Sequence, residues 1–222
     1  MTQTLVWRLI AKDVYLTRKG LGLLFLAGCL AVGLLQRGGP AGLVGITTAL
    51  IVVILLGIVL PMQTVVNERK KQNLPFVMSL PISPLEYTAA KLAMNLSVYV
   101  VLWLAVTIAV VGTIARAGTF GGMIPIMTVA ALVPMMTFAL LLAVSIVMES
   151  EAWAIGTMGA SNVSYSFWWY FLLQFPGVRA DMAGPVAIWS GPIRAMLAVE
   201  SAVIVLALGL TFFFQSRKTD FI

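Results

Sequence analysis

The sequence predicts an all-α integral membrane protein, with six transmembrane helices, an N-terminal interfacial helix and both termini cytoplasmic. Three observations carry that expectation. Of 222 residues, 61% are hydrophobic and 10% charged, whereas soluble domains run near 45–50% apolar and about 25% charged. The few charges sit at the edges of long runs that contain none, at 20–36, 38–67, 92–115, 117–148 and 152–178. Turn chemistry separates those runs: Gln36-Arg37-Gly38-Gly39-Pro40, Ala117-Gly118-Thr119-Phe120-Gly121-Gly122 and Pro176-Gly177.

The elements follow in order. Residues 1–19 are too polar to span but are helix-patterned, with Trp7, Ile10 and Val14 on one side and Arg8, Lys12 and Lys19 opposite. They read as an amphipathic helix lying in the lipid interface, or simply as a basic anchor ahead of the first span. The domain at 20–222 then holds the spans. A crossing needs roughly 20 apolar residues, which places six at about 20–36, 42–66, 92–114, 123–148, 152–175 and 192–215. Leu26-Ala27-Gly28-Cys29 matches a lipoprotein cleavage pattern, but the apolar stretch before it, Leu21 to Phe25, is too short for a signal.

Charge fixes orientation and excludes functions. Fourteen Lys and Arg against eight Asp and Glu give +6, but charges at span edges answer to positive-inside topology and not to nucleic acid. With the N-terminus inside, ten of them (Arg8, Lys12, Arg18, Lys19, Arg69, Lys70, Lys71, Lys91, Arg217, Lys218) are cytoplasmic and four (Arg37, Arg116, Arg179, Arg194) lie outside. The chain has no His, so the usual metal ligand and commonest general base are missing. No nucleophile–base pair or carboxylate cluster can be proposed, so no catalytic residue and no metal are expected.

One cytoplasmic loop, Asn67 to Lys91, is too long and too structured for a passive connection. It opens on Glu68, Arg69, Lys70 and Lys71, continues through the apolar patch Leu74-Pro75-Phe76-Val77-Met78-Ser79-Leu80, and brackets Ile82-Ser83 between Pro81 and Pro84. Ser83 can cap a new helix with Pro84 at its first position and Glu86 at its third. An apolar knob rimmed by charge is what a docking surface needs. The alternative is a loop that dips Phe76, Val77 and Met78 into the headgroups.

The stretch from Glu68 to Lys91, with its Phe-Val-Met-Ser-Leu-Pro-Ile-Ser core and the following helix ending in Ala-Lys, resembles the first cytoplasmic loop of ABC-2 type permeases. Length and span number resemble that family too. Asn73, where the family often has Gly, and Pro84, where it often has Arg or Lys, depart from its pattern. The resemblance implies the membrane subunit of an ATP-driven exporter in a bacterial cytoplasmic (inner) membrane, moving a hydrophobic or amphiphilic lipid, peptide or drug. It makes Glu68, Arg69, Lys70, Leu74, Phe76, Val77, Met78, Leu80, Pro81 and Ile82 the ATPase-coupling residues. Its partners would be ABC ATPase subunits, a second permease copy or paralogue, and the bilayer. The chain has no phosphate-cradling Gly-x-x-x-x-Gly-Lys-[Ser/Thr] of its own, so ATP and Mg belong to the partner and no cofactor is expected here. Glu149-Ser150-Glu151 is a second contact candidate, or a mere membrane boundary.

Within the spans, Glu200 lies deep enough that an unpaired carboxylate costs on the order of 2–3 kcal/mol. It is a substrate contact, a latch between subunits, or a packing partner for a polar residue such as Asn95 or Asn162. Span five combines Asn162 with Tyr165, Trp168 and Trp169, which read either as an interfacial aromatic belt or as the lining of an amphiphile's path. Gly156, Ala160 and Ser164 form a small-residue face that permits close helix approach. Val178 to Gly191 is long enough for a short re-entrant helix. Two other assignments compete: a haem-exporter-like subunit of cytochrome maturation, which no His supports, and an ion-coupled secondary transporter, for which only Glu200 would qualify.

Overall fold

The computed structural model describes residues 2–70, 83–117 and 121–217, which are helical with no strand among them. The helices are α1 (Thr2–Leu35), α2 (Gly39–Pro61), a π turn (Met62–Val66) leading into the short α3 (Asn67–Lys70), α4 (Pro84–Ala117), α5 (Met123–Val147), α6 (Glu151–Leu172), the short α7 (Pro176–Met182) and α8 (Gly191–Ser216). Five helical stretches are long and apolar enough to cross a membrane: Trp7–Leu35, Gly39–Lys70, Leu85–Arg116, Met123–Val147 and Gly191–Ser216. The sixth expected span is α6. Its 22 residues would reach about 33 Å, but Thr157, Ser161, Asn162, Ser164 and Ser166 dilute its hydrophobicity.

α2 and α5 are apolar all round, the pattern of helices with neighbours on every side. α5 accordingly packs against α2, α4, α6 and α8. Tyr99 of α4 stacks on Phe138 of α5 with ring centroids 4.0 Å apart, in a core with Val53, Leu56 and Leu60 of α2 and Ala31 of α1. Gly45 of α2 is what lets α1 come so close: a Cβ there would sit 2.5 Å from the Leu35 backbone nitrogen.

Consecutive long helices run in alternating directions, so the bundle has two ends. At one, Lys12 of α1, Glu68 of α3 and Lys91 of α4 meet, and Gln215 near the end of α8 donates to the Ile146 carbonyl near the end of α5. At the other, Leu172 of α6, Val178 of α7 and Ile193 of α8 pack on Ile126 and Val129 of α5. There the Gly122 amide bonds the Gly184 carbonyl at 2.9 Å, an approach that any side chain at Gly122 would block against the Asp181 backbone.

α1 differs from expectation. It is unbroken across residues 19 and 20, where the interfacial helix was to give way to the first span. Its inward stripe in the first half is Leu9, Asp13 and Thr17, all buried, while Trp7 and Val14 are exposed. The side of residues 1–19 that packs on protein thus carries Asp13 and Thr17 with Leu9, while Arg8 and Lys19 stay exposed. α4 begins as anticipated: the Ser83 amide donates to Glu86 Oε2 at 2.8 Å and the Glu86 amide to Ser83 Oγ at 3.2 Å, a reciprocal cap with Pro84 at the first helical position.

Candidate functional site

The end of the bundle that carries the loop roots holds four buried or half-buried charges. Asp13, Glu68 and Lys91 are 4%, 7% and 1% exposed. Isolated, each would pay a large desolvation cost; together with Lys12 they sum to zero and pair. The Lys91 ammonium has three protons to place and finds three acceptors: Glu68 Oε2 at 2.5 Å, Asp13 Oδ2 at 2.7 Å and the Thr64 carbonyl at 2.8 Å. Glu68 also accepts from Lys12 through Oε1 and from the Tyr87 hydroxyl through Oε2 at 3.1 Å.

The π turn contributes to this arrangement. Its wider bonding sends the Asn67 amide back to the Met62 carbonyl, five residues earlier, and the carbonyl of Thr64, inside the turn, bonds Lys91. Asn95, one helical turn beyond Lys91, donates to Thr64 Oγ1 at 2.9 Å and to the Lys91 carbonyl at 2.8 Å. One site therefore ties α1, the π turn, α3 and α4 together.

The next two residues reach the opposite way. Arg69 donates to the Ser145 and Ile146 carbonyls at 3.1 and 3.2 Å, where the end of α5 leaves carbonyls unpaired and favours a cation. It also lies 3.5 Å from Glu149. Lys70 pairs with Glu151 at 3.0 Å on the surface. These residues line a polar cleft of about 180 Å³ between α3 and the α5–α6 turn. Glu149 in that turn has φ 55°, a left-handed conformation uncommon outside Gly.

A second feature lies inside the bundle. An apolar cavity of about 270 Å³ opens between α2, α4, α5 and α6, with Trp103, Tyr165 and Trp169 among its walls. Trp103 Nε1 is satisfied by the Ala131 carbonyl at 2.6 Å, so its ring is held flush with the wall. Tyr165 also borders a smaller niche with Ser161 and Asn162. Glu200 of α8 is fully buried and accepts a hydrogen bond from Trp168 Nε1 at 2.9 Å. Its other oxygen has no partner among the described residues.

The expected site residues therefore separate into groups. Glu68, Arg69 and Lys70 are brought to one end, but Glu68 is not a rim charge: it is the buried acceptor at the centre of the cluster. Leu74, Phe76, Val77, Met78, Leu80, Pro81 and Ile82 lie outside the described residues. Tyr165 and Trp169 face the cavity, and Trp168 turns to Glu200. Asn162 is exposed and spends its amide on the Met158 carbonyl; the partner of Glu200 is neither it nor Asn95. Sequence reasoning missed Asp13, Thr64 and Tyr87, offered Asn95 only as a partner for Glu200, and gave Lys12 and Lys91 no part in a buried ion pair. A signal was present, since Asp13 is the lone acid before Glu68.

Comparison with known proteins gives one match. A family model described as ABC-2 family transporter protein matches residues 8–180, a stretch that contains the whole charged cluster and the cavity. No curated protein and no solved structure matches the chain.

Proposed function

The chain belongs to the ABC-2 family of transporter proteins and is thus a membrane permease of an ABC transporter, and we propose that it is an exporter subunit whose separate ATPase docks on the Asn67–Lys91 loop. The observation that carries the docking site is the convergence of both loop roots, through Glu68 and Tyr87, on one carboxylate. A surface held at both roots loses less entropy when a partner binds it. In this reading Phe76 and Leu80 anchor the motor, and ATP and Mg are bound by the motor alone.

The same reading takes α6 as a sixth span, which puts both termini and the loop on the cytoplasmic face of a bacterial inner membrane. Contacts at one bundle end from Lys12, Glu68 and Gln215 support it. The transported molecule is hydrophobic or amphiphilic, because the cavity bounded by Tyr165 and Trp169 has apolar walls and no charged residue lines it. In this reading Trp168, Glu200 and Asn162 are further path residues. A second permease copy or paralogue completes the path, supported by the exposed α6 face of Gly156, Ala160 and Ser164.

Two measurements test this. Tagged permease should co-purify an ATPase. Single cysteines at Lys71 and Arg217 should react only from the cytoplasm, and one at Gly118 only from outside; an odd-numbered labelling pattern overturns the six-span arrangement.

A further inference from the structure

Three consecutive residues at the loop's first root bind in two directions with different strength, and that difference decides how the loop moves. Glu68 binds towards α1 and α4, inside a buried network in which all three ammonium donors of Lys91 are used. Lys70 binds towards the α5–α6 turn through a pair whose side chains are 63% and 43% exposed. Arg69 shares that second direction, bonding two neutral carbonyls and lying 3.5 Å from Glu149, whose side chain is 32% exposed at the edge of a cleft. Breaking the first contact leaves unpaired charges in a dry site, whereas breaking the second separates one exposed pair and one that water reaches from the Glu149 side.

We propose that Glu68 is the positioning residue of the motor-docking loop: its carboxylate joins both loop roots to Lys12 of α1, so that the adjoining ends of α1, α3 and α4 move as one body and the seam against the α5–α6 turn opens. The proposal rests on the loop being the motor's docking site. The first half of α1 is then a moving part tied to the motor, and Lys12 and Asp13 act through Glu68 and Lys91 without touching substrate. The Asn67–Lys70 segment travels with α4 because Tyr87 and Lys91 grip the same oxygen of Glu68.

The test uses the full-length permease with its co-purifying ATPase in vesicles of bacterial polar lipid, in a Cys29→Ser background because Cys29 is exposed. Spin labels at Lys70 and Ala152 report the seam, labels at Leu16 and Leu85 report α1 against α4, and labels at Lys70 and Leu85 report the two loop roots. Distances are measured without nucleotide and with the motor trapped by ATP and vanadate. The expected result is a nucleotide-dependent increase across the seam with the α1–α4 distance unchanged. Lys12→Met/Glu68→Gln removes one charge of each sign, so the cluster stays neutral and the melting temperature should hold. Motor retention should also hold, and α1 and α4 stay joined by Asp13 and Lys91, while the Lys70–Leu85 distance between the loop roots becomes nucleotide-dependent and permease stimulation of the ATPase falls about tenfold. A merely structural Glu68 predicts the parent's distances and stimulation in that double variant, and that result overturns the proposal. So does a seam that stays closed while the α1–α4 distance changes. If the parent retains no ATPase, the docking reading fails and this proposal with it; retention with the wrong distances sinks the proposal alone.

Discussion

Glu68 and Glu200 are both buried acids in an apolar bundle, yet their surroundings differ. Glu68 accepts from two ammonium groups and a phenol and belongs to a cluster with no net charge. Glu200 accepts one indole N–H and forms no ion pair among the described residues. A carboxylate with matched cations is a structural and mechanical element, because removing any member exposes the rest to desolvation. A carboxylate with an oxygen that has no partner among the described residues has room for one more donor. The two acids should therefore fail differently when altered.

The largest expected effect is at the first. Lys91→Met leaves Asp13 and Glu68 facing Lys12 alone and should cost about 3–5 kcal/mol, read as loss of folded protein or a large drop in thermal stability in detergent. If Lys91→Met melts with the parent, the cluster is not a fixed structural unit. The loop it holds comes next. Phe76→Ala or Leu80→Ala should each weaken motor docking by roughly 2 kcal/mol, about thirtyfold, measured by titrating the ATPase onto the immobilised permease. Unchanged docking in the pair would reduce the loop to a lipid-dipping linker.

At the second acid the effects are smaller. Trp168→Phe removes the one donor to Glu200 and should cost about 1–2 kcal/mol in the same unfolding assay. Glu200→Gln keeps an oxygen for Trp168, so stability should stay within about 1 kcal/mol while substrate-stimulated ATPase changes. Loss of folded protein with normal activity in the remainder would instead class Glu200 with Glu68. Lys70→Ala should be smallest, about 0–1 kcal/mol, and only at low salt; a larger loss would mean the seam is not the weaker side.

Most of the helix boundaries were legible in the sequence, because charge-free runs and Gly/Pro breaks act locally. α5 was expected at 123–148 and spans Met123–Val147; α8 was expected at 192–215 and spans Gly191–Ser216. The Ser83–Glu86 cap was legible for the same reason. The cluster was not. Bonded members lie as far as 78 residues apart in sequence, Asp13 to Lys91, and a Lys at a span edge looks the same whether it meets water or a buried carboxylate. The direction of Trp168 and Trp169 was equally hidden: adjacent on α6, they lie about 100° apart round the helix, and only packing reveals that one meets Glu200 and the other the cavity.

Composition and run length by themselves determined that this chain lives in a membrane as a bundle of long helices. Those properties follow from the cost of burying backbone and charge in lipid, which each segment pays alone. The residues of the Glu68–Lys91 loop carried the resemblance to ABC-2 permeases, and the family match agrees with it. Only the tertiary structure decided which charges are buried, that a π turn gives Lys91 its third acceptor, and that α1 joins the loop roots. Those outcomes depend on which helices are neighbours, and pairing energy exists only once the partners have been brought together.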